Sequence, residues 1–372
     1  AQASCHSGSL MHRLARLQHH FRFVVCPAAF SQRLRPAALS SAAEGPRPGA
    51  LVRRAASSSM ADDTPQRMTD SDKFFFDLDG YFVVRGALST EEVQMANEAI
   101  DAHAGEIKER MDPELRNTRA GSCLAGDGKS GRRDLGGMLG WPKPHCQIYR
   151  KLLAHPKLQP YIIELCGPGY RLDHSPLVIC QNRGSEGFSL HGGPLASNGG
   201  LNATLQYRCF NGKFYNSLLA MSVVLSDHRA GNGGFCVLRG SHKMNFLPPP
   251  GFKDGVAAQD HLFQPVTKAG DVIFFSEATM HGALPWTAEH ERRLVLYRFA
   301  PATVAYGRTY SPQWPEEYLE GMSEVERAVM EPPYAERLDR PIVKPDFTVP
   351  ITTSRSKRKQ EFDQEVFGTK YF

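Results

Sequence analysis

Residues 270–281 read Gly270-Asp271-Val272-Ile273-Phe274-Phe275-Ser276-Glu277-Ala278-Thr279-Met280-His281. A glycine opens the stretch, Asp271 to Phe275 is a β-branched and aromatic run of strand length, and a histidine follows. The same grammar repeats around it. Leu177 to Gln181, Phe188 to His191, Leu218 to Ser226, Gly234 to Arg239 and Arg293 to Phe299 are further short runs, separated by Gly- and Pro-rich turns. Short strands so punctuated, with few helical patterns between them, argue for a barrel or sandwich and against a doubly wound parallel sheet. The expected fold is mainly β with flanking helices, a double-stranded β-helix or jelly roll.

Upstream of these strands, Gly80 precedes a four-residue strand, Tyr81-Phe82-Val83-Val84. Ser89 with Glu92 three residues later forms a capping box, and Val93, Ala96, Ile100, Ala104, Ile107 and Met111 continue at helical spacing, predicting one amphipathic helix packed on a sheet. Residues 117–141 are rich in Gly and charge and read as a long loop, either a cover over a site or a linker. His155 to Cys166 is a second helical stretch, and Glu316 to Met330 a third. Arg355 to Lys359 is a solvated basic run. The expected division is a leader over 1–65, a jelly-roll domain over 66–312 and a partly helical C-terminal extension over 313–372.

The formal net charge of +5 is unevenly spread. Residues 1–59 hold eight Arg and one acid of the chain's 44 basic and 39 acidic residues, leaving 36 basic and 38 acidic residues in the rest. A nucleic-acid footprint needs basic residues clustered on a folded surface, so none is expected. The partner expected instead is a small-molecule substrate. Eight cysteines without a Cys-x-x-Cys pair give no support to a zinc ribbon or a thioredoxin motif and fit a reducing compartment. The longest apolar runs are strand-sized, so no membrane span is expected. Residues 1–65, rich in Arg, Ala, Ser and Pro, read either as a transit peptide or as upstream sequence preceding Met60. Arg13-Leu14 with His20-Phe21 also approximates a type-2 peroxisomal signal. The expected location is an organelle (mitochondrion, plastid or peroxisome) if the leader is real and the cytoplasm otherwise.

Three ordered segments carry a family resemblance: Phe76-Asp77-Leu78-Asp79-Gly80-Tyr81-Phe82-Val83-Val84-Arg85-Gly86, then Gly233 to Lys243 with Gly240-Ser241-His242, then Gly270-Asp271-Val272 leading to His281. From about Asp72 to Pro301 the chain resembles the phytanoyl-CoA dioxygenase family of Fe(II)- and 2-oxoglutarate-dependent oxygenases. That resemblance implies a cupin-like roll in which His191 and His281 are metal ligands for Fe(2+). It also implies that Arg292, eleven residues after His281, grips the distal carboxylate of 2-oxoglutarate, a task that suits a planar guanidinium. Arg293 is adjacent, and strand alternation lets only one of the two point inward; family spacing selects Arg292. Strand position makes Gln181 and Ser222 polar candidates beside the keto acid. Tyr207, Phe210, Phe214 and Tyr215 are candidates for a substrate entrance or for core. His242 is assigned to a turn.

One position departs from the family. Hydroxylases of this type carry Asp two residues after the first histidine, and this chain has His191-Gly192-Gly193. Three expectations follow from Gly193. Chloride could fill the open coordination position, as in related halogenases. A carboxylate could come from elsewhere, with Glu186, Asp227 and Glu277 as candidates, or two histidines could suffice. Finally, the metal could be lost, leaving a binding module.

Overall fold

The computed structural model describes residues 67–255, 258–307, 313–334, 340–352 and 356–368. The chain divides into two units, Ala1–Ala61 and Asp62–Phe372, and every described residue belongs to the second. The leader and its targeting signals therefore lie outside the described residues, as does Arg355 of the basic run.

Helix α1 (Asp70–Asp79) starts at a capping box made by Thr69 and Asp72. It stops at Gly80, whose φ of +79° suits a residue without Cβ; a Cβ there would overlap Thr279 and His242. Strand β1 is Tyr81–Val84, and α2 (Thr90–Ala102) begins with the expected Ser89–Glu92 box. The helix ends nine residues earlier than its apolar spacing predicts. Beyond Ala102 a 3₁₀ turn carries the chain to β2 (Lys108–Glu109), which pairs with β3 (Arg133–Leu135), so sheet pairing overrides the continued helical pattern.

Short helices α3 (His145–Lys151) and α4 (Gln159–Cys166) precede the remaining strands. These are β4 (Arg171–Gln181), β5 (Phe188–His191), β6 (Tyr207–Phe210), β7 (Lys213–Asn216), β8 (Leu219–Val224), β9 (Gly234–Val237), β10 (Val272–Ser276), β11 (His281–Leu284) and β12 (Arg292–Ala300). One sheet runs in the order β1-β10-β8-β12-β4-β3-β2 and a second in the order β5-β11-β9. Every pairing within the two sheets is antiparallel. This is the two-layered roll the sequence predicts.

The period of two along each strand sorts side chains between two environments. On β10, Val272 and Phe274 join the core under the helices, whereas Ile273 and Phe275 point into the roll against Phe235 and Val237 of β9. On β12, Val295, Tyr297 and Phe299 face the helices, while Arg292, Leu294, Leu296 and Arg298 line a cavity between the sheets. Because both faces of the large sheet are covered, every residue of β8 is buried, and all but Ser222 are apolar.

The predicted helix over Glu316–Met330 divides in two, α5 (Glu316–Leu319) and α6 (Glu324–Met330), with Gly321 at φ +70° between them and Ser323 capping the second. Trp314, Met322, Val329 and Val343 join the same core as α2 to α4. Among the described residues no helix is long and apolar enough to cross a membrane. The six described cysteines are free thiols.

Candidate metal centre

Strands β5 and β11 place His191 and His281 directly opposite each other, with ring centroids 4.2 Å apart. Each ring is held by a carbonyl two residues back. His191 Nδ1 lies 3.0 Å from Ser189 O, and His281 Nδ1 lies 2.7 Å from Thr279 O. A carbonyl only accepts, so both Nδ1 atoms carry the proton and both Nε2 atoms keep a lone pair for a metal. Burial, reinforced by the neighbouring ring, pushes His281 down to about 3, and burial also lowers His191. Both are neutral near pH 7, the state a metal ligand requires.

The third member is Glu277, on the turn between β10 and β11. Its Oε1 accepts from Arg298 Nε at 2.6 Å, and its Oε2 lies 3.6 Å from His281 Nε2. Burial alone would raise this carboxyl, but Arg298 and the two imidazoles outweigh it and hold it at about 2, so it is ionised. One ligand atom from each of His191, Glu277 and His281 falls within 4.8 Å of the others, and this is the single such group of three among the described residues. Two nitrogens and one carboxylate oxygen make the donor set that non-haem iron accepts.

The other two carboxylate candidates serve elsewhere. Glu186 is buried and consumed by the 110–132 segment, accepting from Asn117 N (3.2 Å) and Thr118 Oγ1 (2.7 Å) and pairing with Arg116 Nε (3.2 Å). Asp227 accepts from Ala269 N at 3.1 Å, in a surface groove with Asn232 and His290. Gly193 has φ +100°, donates its N–H to Ala278 O at 3.0 Å, and has Met244 Cε where a Cβ would stand. Its backbone conformation is one that side chains rarely adopt, whereas Met244, a flexible chain end, could move aside.

The cavity beside the three residues contains all five side chains singled out from sequence: His191, His281, Arg292, Gln181 and Ser222. Its volume is about 80 Å³, room for on the order of half a dozen waters. Arg292 is buried on this inner face, whereas Arg293 points outward to Asp101 and Glu291. Gln181 Oε1 accepts from Arg292 Nη1, and Gln181 Nε2 donates to Glu186 O at 2.6 Å. Arg292 has no acidic partner among the described residues, and its buried Nε has no hydrogen bond. Burial lowers its affinity for the proton to about 9. A buried cation so placed calls for an anion that the protein itself does not supply.

Some expectations are revised here. Tyr207, Phe210, Phe214 and Tyr215 form no part of the cavity lining: β6 and β7 are a separate hairpin turning at Asn211-Gly212, Tyr207 donates to Asp77, and Phe214 packs on Phe76. His242 does lie in a turn, yet it is buried, with Nε2 2.9 Å from Asp77 O. Two cavity residues went unread in the sequence, Arg298 and Arg132. Arg298 was accessible by parity, since it stands six residues after Arg292 on the same strand face. Arg132 lies inside the Gly-rich segment 117–141 and carried no such signal.

Residues 202–294 match the family described as Phytanoyl-CoA dioxygenase (PhyH). Among solved structures, the chain is similar to HygX from Streptomyces hygroscopicus with nickel, 2-oxoglutarate and hygromycin B bound. Identity is 22% over 64% of this chain and 90% of that one, at a TM-score of 0.51. HygX with iron bound is similar at 20% identity over 65% and 90%, with a TM-score of 0.50. A comparison with curated proteins finds no match. The likeness to these structures is one of fold.

Proposed function

We propose that this protein is an Fe(II)- and 2-oxoglutarate-dependent dioxygenase that hydroxylates an aliphatic C–H bond of a small molecule, with His191, Glu277 and His281 as its metal ligands. The observation that carries this reading is the convergence of two Nε2 lone pairs and an ionised carboxylate beside a buried guanidinium without an acidic partner. Arg292 holds the distal carboxylate of the keto acid, Gln181 keeps its guanidinium aimed, and Ser222 offers a hydroxyl on the same wall. Iron with 2-oxoglutarate supplies oxygen activation coupled to decarboxylation to succinate; the protein's part is to position the reactants and exclude water. Arg298 keeps Glu277 oriented, and Phe235 and Phe275 dry the surroundings of His281.

In this reading Gly193 stands where related hydroxylases have their acid, and Glu277 supplies the missing oxygen from the other side of the histidine pair. A halogenase needs that coordination position free for chloride, and Glu277 fills it, so the observations favour hydroxylation. The test is anaerobic titration with Fe(II) and 2-oxoglutarate, followed by the visible charge-transfer band of the chelate, and then succinate formation on admitting oxygen. A band lost in Arg292→Ala supports the assignment. Ligand binding without a band and without succinate would establish a non-catalytic binding module instead.

A further inference from the structure

The cavity holds more positive charge than the keto acid needs. Besides Arg292 and the Glu277-paired Arg298, its wall includes Arg132, which is 8% exposed and sits with its guanidinium carbon 5.4 Å from the Phe188 ring centre. Arg132 uses Nε and Nη2 on Asp134, at 2.8 and 3.1 Å. That carboxylate is already shared: Arg110 Nε donates to the same Asp134 at 2.6 Å. Two guanidinium groups on one acid leave a surplus positive charge beside the cavity. Arg132 Nη1 has no hydrogen bond among the described residues, so its two N–H groups remain for a ligand.

Arg132 also comes from a different part of the large sheet than Arg292. It immediately precedes β3, two strands away from β12 across β4, and faces Phe188 and Gly187 of the opposite layer. The Phe188 ring bridges Arg132 and His191, its centre 4.7 Å from that of the imidazole, and Ile179 and Leu296 add apolar surface to the same cavity wall. A ligand anchored here would extend along apolar surface toward the metal ligands.

We propose that Arg132 is the anchor for a carboxylate on the substrate itself, so that the substrate is a short-chain carboxylic acid held by its charged end with an aliphatic carbon turned toward the metal centre. This deepens the oxygenase reading and rests on it. With the Nε edge committed to Asp134, Arg132 presents one nitrogen, which suits a single carboxylate oxygen; a phosphate would leave most of its oxygens without donors.

The test uses Fe(II)-loaded protein under nitrogen, with propionate through hexanoate as probes, and the matching amides and alkyl phosphates as controls. Two readouts are followed, the chelate band with 2-oxoglutarate and the shift in Tm on adding each probe. The expected result is saturable binding of the carboxylates alone, weakened about tenfold or more in Arg132→Gln, the loss typical of a charge-assisted hydrogen bond. Affinity for 2-oxoglutarate should stay within about twofold, and Arg132→Lys should retain part of the carboxylate binding because the charge remains. Equal weakening of 2-oxoglutarate and probe in Arg132→Gln, equal binding of amides or phosphates, or no Tm shift with any carboxylate overturns the proposal. Absence of the chelate band in wild type instead sinks the oxygenase reading, and the Tm arm still decides whether Arg132 binds carboxylates.

Discussion

His191 and His281 are Cα partners across the antiparallel β5–β11 ladder, and their rings meet 4.2 Å apart on one face of the three-stranded sheet. Ninety residues of sequence separate them, so their meeting depends wholly on register. A one-residue slip of either strand would turn its histidine to the opposite face. The bulge between His281 and Ala283 falls immediately beyond the pair and re-aims the strand after the ligand has been placed.

Replacing Glu277 by Gln should uncouple metal binding from stability. The variant keeps the shape but loses the charge, leaving Arg298 facing a neutral amide. We expect metal affinity to fall by roughly a hundredfold or more, larger than the loss seen when an outer-shell partner is removed. Stability should fall by about 3 kcal/mol, the lower end for breaking a buried ion pair. Adding Arg298→Met should recover much of the stability and none of the metal binding. Calorimetric metal titration and urea denaturation separate the two effects, and recovery of both together would contradict the assignment of Glu277.

Arg292→Met should trade function for stability in the unliganded protein. A buried guanidinium with no acidic partner costs free energy until its anion arrives. The substitution should leave Tm without 2-oxoglutarate equal to or above that of wild type, and abolish the rise in Tm that the keto acid produces. The KM for 2-oxoglutarate should increase about tenfold or more. A variant that melts well below wild type but still responds to the keto acid would assign Arg292 a structural role.

Gly193→Asp should not restore an iron ligand. The φ of +100° is unfavourable for any side chain, whatever room Met244 can make by moving. We expect destabilisation of roughly 1–3 kcal/mol from the backbone alone, with no gain in metal affinity. Combining Gly193→Asp with Glu277→Gln should leave the site as weak as Glu277→Gln alone. Recovery of metal affinity in the double variant would show that the turn after His191 can still deliver a carboxylate.

Acid should weaken the fold through His242 as well as through the carboxylates. Burial holds folded His242 at about 4, whereas an unfolded imidazole takes its proton near pH 6.5. Between those values the unfolded chain binds more protons, so stability is fully present above about pH 6.5 and declines as pH falls toward 4. His242→Gln should flatten this part of the profile. The comparison to make is the change in urea midpoint between pH 7 and pH 5, and an equally steep profile in the variant would rule out this contribution.

The limits of sequence reading follow from what each residue's role depends on. Strand β5 was legible to the residue, because Phe188 to His191 is bounded by turn residues on both sides. Alternation allowed only one of Arg292 and Arg293 to point inward and family spacing selected Arg292; the structure places the two on opposite faces of β12. Glu277 could only be one of three candidates, since its role rests on how the Ser276–Met280 turn folds, and turn geometry has no periodicity to read. Helix α2 was overextended because the competing partners of Lys108 and Glu109, Asp134 and Arg133, lie 26 and 24 residues downstream. Arg132 was invisible for the same reason: its surroundings come from two sheets brought together only in the folded roll.

Because Glu277 and His281 sit four residues apart, two of the three proposed metal ligands travel together on one short hook, and only His191 must be recruited from a distant strand. Closing so small a ring costs little chain entropy, so a cation could be gripped by the hook before the roll is complete and would still be retained while the β5 edge opens. Fraying of β5 would then release His191 alone and leave the seven-stranded sheet behind it intact.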